Sequence, residues 1–510
     1  MVGVPGKSKA CQACKKRRVK CDLTRPSCLR CSRAGITCRG YERSTLWVHR
    51  TQTQPNISAL SVVQDARLQE QIQFTSELKD WIGLLRRMRT QVDASESYDV
   101  ATFRRDALTI SENIYFPGSR LKKAEEDLTP SSWLRAVCQM QRLSQTLDHS
   151  LVAFCAIQIR LSGEPDISYD ETVHLYNIAL SKIIAILDSP CVGISDESLA
   201  SIVILSTCEL FLFHASSSWN AHAQGISEIL RYRAVADTIT QSWSDLCRRL
   251  CIICVIQAMV QKHSLILEPH IWRQHIGPPT EPASFGGLLD LVINIPSVMA
   301  DARSLAQVDK DYINRALQID LLIQKFHELD HWRTLHHQYS WTQSQIPVYW
   351  SVPARAINPA EKNYEDKLFP FALVFSSIAA ATTWIFASSM MLDILDTVIL
   401  LCPGHIPNNS MLASIDHNLY DGAVSNVLHA VKVDADRLAR LLCQTIEYCY
   451  RSENGTFGPQ MTCYMQATLL RYFAHCGLTR ELEWCRAISK MECPGTSFGI
   501  VLMQLRPLTV

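Results

Sequence analysis

The sequence predicts an all-α protein in two parts, a small cysteine-rich module at the N-terminus and a large helical body behind it. Two cysteine-rich units lie within the first 40 residues, and from about residue 100 onward apolar residues recur at the three- and four-residue steps of helices. No alternating strand pattern flanked by hairpin turns interrupts that periodicity. A chain of 510 residues with 47% hydrophobic and 19% charged residues is long and apolar enough to fold around a sizeable core.

Charge is divided unevenly along the chain. The first 50 residues hold 13 lysines and arginines against only Asp22 and Glu42, whereas the remainder holds 37 basic against 47 acidic residues. A basic end on an acidic body indicates nucleic-acid binding, because cations that neutralise phosphates release condensed counterions. The N-terminus has no apolar signal-peptide core, so we expect a reducing compartment and no disulfide framework.

The N-terminal cysteines repeat the spacing C-x2-C-x6-C twice. Thiolates are soft ligands suited to tetrahedral zinc, and a C-x2-C pair lets two sulfurs reach one metal. Six thiolates give four ligands to each of two zinc ions only if two sulfurs bridge, so the repeat predicts a two-zinc cluster. Metal binding would also supply the folding energy that this segment lacks. The predicted ligands are Cys11, Cys14, Cys21, Cys28, Cys31 and Cys38.

A basic run stands between the second and third ligands and comprises Lys15, Lys16, Arg17, Arg18 and Lys20. A short helix here would present cations to the major groove, where Arg and Lys bond O6 and N7 of guanine. The same run can act as a nuclear-import signal. We therefore predict double-stranded DNA as the partner and the nucleus as the location.

Residues 11–41 resemble the fungal zinc binuclear cluster transcription factors. All six cysteines, the basic run, Asp22, Arg25–Ser27, Gly35 and Tyr41 fall where that family has them. The resemblance implies that Cys11 and Cys28 bridge two Zn2+ ions. It further implies that Cys14 and Cys21 complete one site and that Cys31 and Cys38 complete the other.

The resemblance also implies a function. Arg17 and Arg18 would contact the bases of CGG-like triplets. The family mostly has Lys where this chain has Arg18, and the forked guanidinium of Arg differs in geometry from the point-like ammonium of Lys. The chain would be a regulator of RNA polymerase II genes acting with the transcription machinery, an activator of a secondary-metabolite or nutrient-use gene cluster. The alternative is a zinc-cluster protein that acts as a repressor or as an accessory factor.

Residues 42–65 are predicted to be a linker and residues 66–95 an amphipathic helix. In the resembling family a short coiled coil follows the cluster and joins two subunits. The stripe here covers only about two and a half heptads, fewer than a coiled coil needs. Homodimerisation through the stripe and packing of the helix on its own body therefore both stay open. The stripe consists of Phe74, Leu78, Trp81, Leu85, Met88 and Val92.

Residues 100–510 are predicted to form a helical regulatory domain. Within it the apolar run Leu368–Leu392 is long enough to span a bilayer, but its Ser and Thr content and Pro370 favour a buried helix and no membrane. Consecutive amphipathic helices are predicted at Ser131–Ile159, Asp170–Leu187, Ser198–Phe213 and Ala221–Tyr232. The body resembles the regulatory region that follows the cluster in many such proteins, at Tyr176, Ala179, Leu180, Cys208, Glu209, Trp219, His222, Gly225, Ala380, Trp384 and Cys443–Tyr448.

Three motifs in the body have a second interpretation. His327, Glu328 and His331 fit H-E-x-x-H, with His337 as a third ligand, which suggests a zinc protease. Thr334 stands where that motif has a turn glycine, and helical projection turns these side chains to solvent, so we expect a chance match and no enzyme. Cys251 and Cys254 form a C-x-x-C pair, but their apolar helix favours core packing over redox chemistry. Trp219 and His222 are likewise expected in the core rather than in an effector site.

Overall fold

The structure is a computed structural model, and its described residues fall into two compact units, one within Met1–Gln73 and one within Phe74–Val510. We call these the N-terminal module and the body. The structure describes residues 11, 14, 17, 19–24, 28–36, 38, 81–93, 98–117, 132–164, 166–187, 195–212, 224–231, 240–279, 281–306, 312–355, 358, 361, 367–402 and 420–488.

The all-α fold class is confirmed. The N-terminal module contains one short helix, α1, at Leu29–Arg33 within its described residues. The body contains a 3-10 turn at Ser452–Asn454 and a series of α-helices. These are 81–93 (α2), Val100–Ile114 (α3), Ser132–Gln139 (α4), Gln145–Leu161 (α5), Tyr169–Leu187 (α6), Asp196–Leu212 (α7), 224–231 (α8), Gln241–Gln261 (α9), Pro269–Ile276 (α10), Phe285–Val292 (α11), Ile295–Ala306 (α12), Tyr312–Ser344 (α13), Ile378–Leu401 (α14), Tyr420–Cys449 (α15), Phe457–Gln460 (α16), Cys463–His475 (α17) and Thr479–Ile488 (α18).

Three helices, α5, α7 and α14, form the centre of the body. Each is buried on nearly all sides, because apolar and small residues surround its whole circumference. Helix α5 packs against α6 and α7, while α14 packs against α13 and α15. The amphipathic pattern predicted for Ser198–Phe213 is wrong, since every residue from Ser198 to Leu212 is buried.

Helix α14 is a core helix, as its composition predicts. It and the stretch Phe285–Ala306 are long and apolar enough to cross a membrane by length and composition alone. In α14, however, 94% of the most apolar window is buried by the rest of the body. The burial accounts for its apolar character without a bilayer.

The predicted helix Ser131–Ile159 is in fact two helices, α4 and α5, separated by residues 140–144. The second begins where Ser144 accepts a hydrogen bond from the backbone N–H of Leu147. The carbonyls of Met140 and Arg142 in the break are bonded by the guanidinium of Arg104 on α3. The break therefore depends on a residue far away in sequence, which helical periodicity does not reveal.

Two short strands interrupt the helical pattern. Strand β1, Tyr349–Pro353, pairs antiparallel with β2, Phe371–Phe375. Strand β2 occupies the start of the run predicted as one helix, and α14 begins only after Ser377, whose side chain accepts from the N–H of Ala380. The two strands are joined by a long connection instead of a tight turn, so the sequence lacks a hairpin signal.

The apolar stripe of the predicted amphipathic helix is buried in the body. Trp81, Leu85, Met88 and Val92 on α2 belong to the same hydrophobic core as the central helices. The N-terminal part of the stripe, Phe74 and Leu78, lies outside the described residues. Of the two open alternatives, the described part of the stripe therefore matches packing on the body, and its side chains are not available to a partner helix.

Candidate metal centre and nucleic-acid interface

The six cysteines of the N-terminal module lie together and form two overlapping groups. In each group the four Sγ atoms lie within 4.8 Å of one another. Cys11 and Cys28 belong to both groups, Cys14 and Cys21 to the first only, and Cys31 and Cys38 to the second only. This division matches the two bridging and four terminal positions that the resemblance implies.

The sulfur separations fit zinc. Tetrahedral Zn–S bonds of about 2.3 Å place two sulfurs on one ion about 3.8 Å apart. The Sγ atoms of Cys11 and Cys28 are 3.7 Å apart, those of Cys14 and Cys28 are 3.6 Å apart, and those of Cys11 and Cys31 are 3.8 Å apart. These distances are too long for disulfides and suit shared metal ions.

Both C-x2-C units fold in the same way. The N–H of Cys14 points to the Sγ of Cys11, and the N–H of Cys31 points to the Sγ of Cys28, at 3.4 and 3.3 Å. Five residues after each second cysteine the chain turns back, with Val19 donating to the carbonyl of Cys14 and Ile36 to that of Cys31. The sequence repeat is thus a structural repeat, and its N–H donors stabilise negative charge on sulfur.

The thiols need a cation to exist together as thiolates. Burial raises the pKa of Cys14, and burial also raises the pKa of Cys28 above its ordinary range. A bound dication reverses this preference, because metal coordination deprotonates a thiol. The donor set and its surroundings therefore fit zinc.

Asp22 holds the second unit in place. Its carboxylate accepts from the backbone N–H groups of Leu29 and Arg30 at 3.2 and 2.8 Å, two of the unpaired donors at the start of α1. It also accepts from Thr24, and the Thr24 bonds lower the pKa of Asp22 to about 2. The spacing of the cysteines does not reveal this capping role.

Gly35 closes α1 at its other end. With φ of +61°, it adopts the left-handed conformation that favours glycine. Its N–H donates to the carbonyl of Ser32 while Ile36 donates to Cys31, the Schellman arrangement.

Of the predicted DNA-contacting residues, Arg17 and Lys20 are exposed on the module. Lys15, Lys16 and Arg18 lie outside the described residues. Arg30 and Arg33, on α1 in the second unit, are also exposed cations. They stand outside the continuous basic run, so the sequence pattern does not single them out.

The H-E-x-x-H motif does not build a metal site. His327, His331 and His337 are exposed on α13, and Glu328 pairs with Lys325 at 2.7 Å. In the part of the chain that the structure describes, no group of three metal-ligating side chains lies close together apart from the two cysteine groups.

The other two alternative motifs have different outcomes. Cys251 and Cys254 are buried thiols in α9, where burial raises the pKa of Cys251 well above its ordinary value and that of Cys254 to about 12. They are therefore poor nucleophiles, as expected for core residues. Trp219 and His222 lie outside the described residues.

Comparison with known protein families gives one match. Residues 9–47 match the fungal Zn(2)-Cys(6) binuclear cluster domain. The module therefore binds two zinc ions, and the match supports a DNA-binding transcription factor. Neither the curated proteins nor the solved structures contain a match to the chain. The resemblance of the body to a regulatory region stays a prediction.

Proposed function

We propose, from the premise that residues 9–47 are a fungal Zn(2)-Cys(6) binuclear cluster domain, that the protein is a nuclear, sequence-specific regulator of RNA polymerase II genes. The observation that carries this proposal is the pair of four-cysteine groups sharing Cys11 and Cys28. All six cysteines would act as ligands, and Cys11 and Cys28, which belong to both groups, would be shared by the two zinc ions. Because the module has few apolar residues, zinc binding supplies the free energy that stabilises its DNA-binding conformation.

DNA reading is assigned to the segment between Cys14 and Cys21. Arg17 and Arg18 contact guanines of CGG-like triplets in the major groove. Lys15, Lys16 and Lys20 contact phosphates, which give affinity without sequence preference. The exposure of Arg17 and Lys20 supports this arrangement.

The proposal is tested by selecting bound sequences from a random DNA pool with the full-length protein and measuring zinc in the same sample. CGG-like triplets and two zinc ions per chain are expected. Arg18→Ala should lose the sequence preference but keep both zinc ions. Arg86→Ala, the same change of charge at an exposed position of the body, serves as control. Unchanged selectivity of Arg18→Ala would overturn the assignment of base contacts.

The ligand assignment is tested separately. Cys14→Ala should lower the zinc content below two and abolish DNA binding, because the remaining ligands cannot complete both sites. Cys138→Ala removes a cysteine of the body that belongs to neither four-cysteine group and should change neither property. Two zinc ions retained by Cys14→Ala would exclude Cys14 as a ligand.

The selected sites also test dimerisation and the sign of regulation. Since Trp81, Leu85, Met88 and Val92 are buried, a homodimer would need a surface other than this described part of the stripe, and paired triplets at fixed spacing would reveal a dimer. Single triplets would indicate a monomer.

Following the resemblance, we propose an activator. Transcription of a reporter gene that carries the selected site should increase when the protein is expressed. A decrease would indicate the repressor alternative.

A further inference from the structure

A cavity of about 110 Å3, partly open to solvent, lies in the body, where α4, α9, α14 and residues 457–465 meet. Most of the side chains around it are apolar and include Ile253, Phe386 and Met465. The polar part of the wall holds Trp133, Arg249 and the ion pair of Arg248 with Asp245, together with Ser132, Thr382, Ser389, Gln460 and Tyr464. The cavity is separate from the cysteine groups, which belong to the N-terminal module.

Two hydrogen-bond donors on this wall have no acceptor. The indole Nε1 of Trp133 and the Nε of Arg249 are both shielded from solvent, and neither bonds to any atom of the described chain. Trp133 is only 2% exposed. An unpaired buried donor costs about 1–3 kcal/mol, more if it is charged, so two on one wall call for a common acceptor.

Arg249 also has no carboxylate partner within the described residues. Its guanidinium lies 5.6 Å from the ring centre of Trp133, a cation–π contact that provides no hydrogen-bond acceptor for the buried Nε. The neighbouring Arg248 differs, because it bonds Asp245 at 2.7 Å and the carbonyl of Ile276 at 3.0 Å. Burial lowers the pKa of Arg249, yet a guanidinium stays charged in proteins.

Two unpaired donors beside apolar side chains match an anion that only accepts hydrogen bonds and carries an apolar substituent. A carboxylate meets this description, since it accepts from two donors at once and pairs with the planar guanidinium. An apolar cavity of about 150 Å3 takes up benzene, which has six non-hydrogen atoms, so this smaller cavity suits carboxylates whose apolar part has about four to six non-hydrogen atoms. Larger anions such as phosphate esters are hydrophilic and do not match the apolar wall.

We propose that this cavity is a binding site for a small apolar carboxylate, whose carboxylate group accepts hydrogen bonds from Arg249 and Trp133. The apolar part of the ligand contacts Ile253, Phe386 and Met465. All of the lining residues belong to the helical body.

The test is calorimetric titration of the full-length, zinc-loaded protein with benzoate, 3-methylbutanoate and 4-methylpentanoate, each compared with its own amide. The amide has the same shape but no charge. At least one acid should bind saturably at one site per chain and about tenfold or more tighter than its amide. Equal binding of every acid and its amide, or no saturable binding by any acid, would overturn the proposal. This comparison requires no variant.

Variants then locate the site. Arg249→Met should reduce acid binding about tenfold or more and remove the preference over the amide, while Arg86→Met, with the same loss of charge on the surface, should bind normally. Trp133→Phe keeps an aromatic ring but loses the Nε1 donor, so it should weaken the acid more than the amide. Undiminished acid binding by both Arg249→Met and Trp133→Phe would place the ligand elsewhere and refute the site.

Discussion

The ion pair between Arg104 and Asp148 joins α3 to α5 inside the body. Both side chains are fully shielded from solvent, and the Arg104 Nε donates to Asp148 at 3.1 Å. The remaining guanidinium nitrogens donate to the carbonyls of Met140 and Arg142, while Tyr98 donates to Asp148 at 2.6 Å. The charges of Arg104 and Asp148 are therefore compensated by protein groups alone, because solvent does not reach either side chain.

Arg104→Met should lower the free energy of unfolding by about 3–5 kcal/mol, because it leaves the Asp148 charge buried without its cation. The two carbonyls that Arg104 bonds would also lose their donor. The matched control is Arg135→Met. Arg135 pairs with Glu112 at 2.8 Å but is half exposed, so its loss should cost no more than about 1 kcal/mol.

The destabilisation should depend on pH. Burial raises the pKa of Asp148, against the opposing charge of Arg104, and removing that charge raises it further. A carboxyl whose pKa is higher in the folded than in the unfolded state stabilises the fold at low pH. That contribution is lost as the pH rises through the folded-state value. Arg104→Met should therefore be less destabilised at pH 5 than at pH 8.

Urea unfolding followed by circular dichroism measures both effects as shifts of the midpoint at unchanged slope. The double variant Arg104→Met/Asp148→Leu removes both charges and should recover much of the loss. A loss below about 1 kcal/mol for Arg104→Met, or a double variant at least as unstable as the sum of the single ones, would refute the reasoning.

Three further predictions concern single positions. Gly458→Ala should destabilise the body by about 1–3 kcal/mol, since a Cβ there would lie 2.0 Å from the carbonyl oxygen of Cys449. Gly83→Ala, with nothing within 4 Å, should instead stabilise α2 by up to about 1 kcal/mol, and thermal unfolding of both variants checks the contrast. Leu23→Gly should slow zinc loss to a chelator, because Leu23 has a φ of +64° that glycine adopts without strain; faster loss would contradict this. Asp22→Ala should speed zinc loss more than Asp22→Asn, which keeps one acceptor for the start of α1, and equal rates would exclude the capping role.

The cysteine centre was largely predictable because its determinants are local. Zinc chemistry requires thiolates at close spacing, and the repeated C-x2-C-x6-C pattern carries that requirement in fewer than thirty residues. The support from Asp22 was not predictable, since it depends on how one unit folds onto the next. In the body, helical periodicity was sufficient to locate α6 and α7, although it did not show that α7 is buried on all sides. The composition of α14 was sufficient to predict its buried character.

Other features of the body depend on tertiary contacts between distant segments. The break between α4 and α5 is bonded by Arg104, and β2 becomes a strand because β1 lies beside it. The stripe of α2 suits a partner helix or a core equally well, and only the packing decided between them. Likewise, Arg249 and Trp133 are ordinary residues in the sequence, and their unpaired donors become apparent only where the chain surrounds them with apolar walls. The sequence by itself determined the metal chemistry and the helical class, because ligand spacing and amphipathic period are local properties. Which surfaces are buried and which donors lack acceptors is decided by tertiary structure, because both depend on residues far apart in the chain.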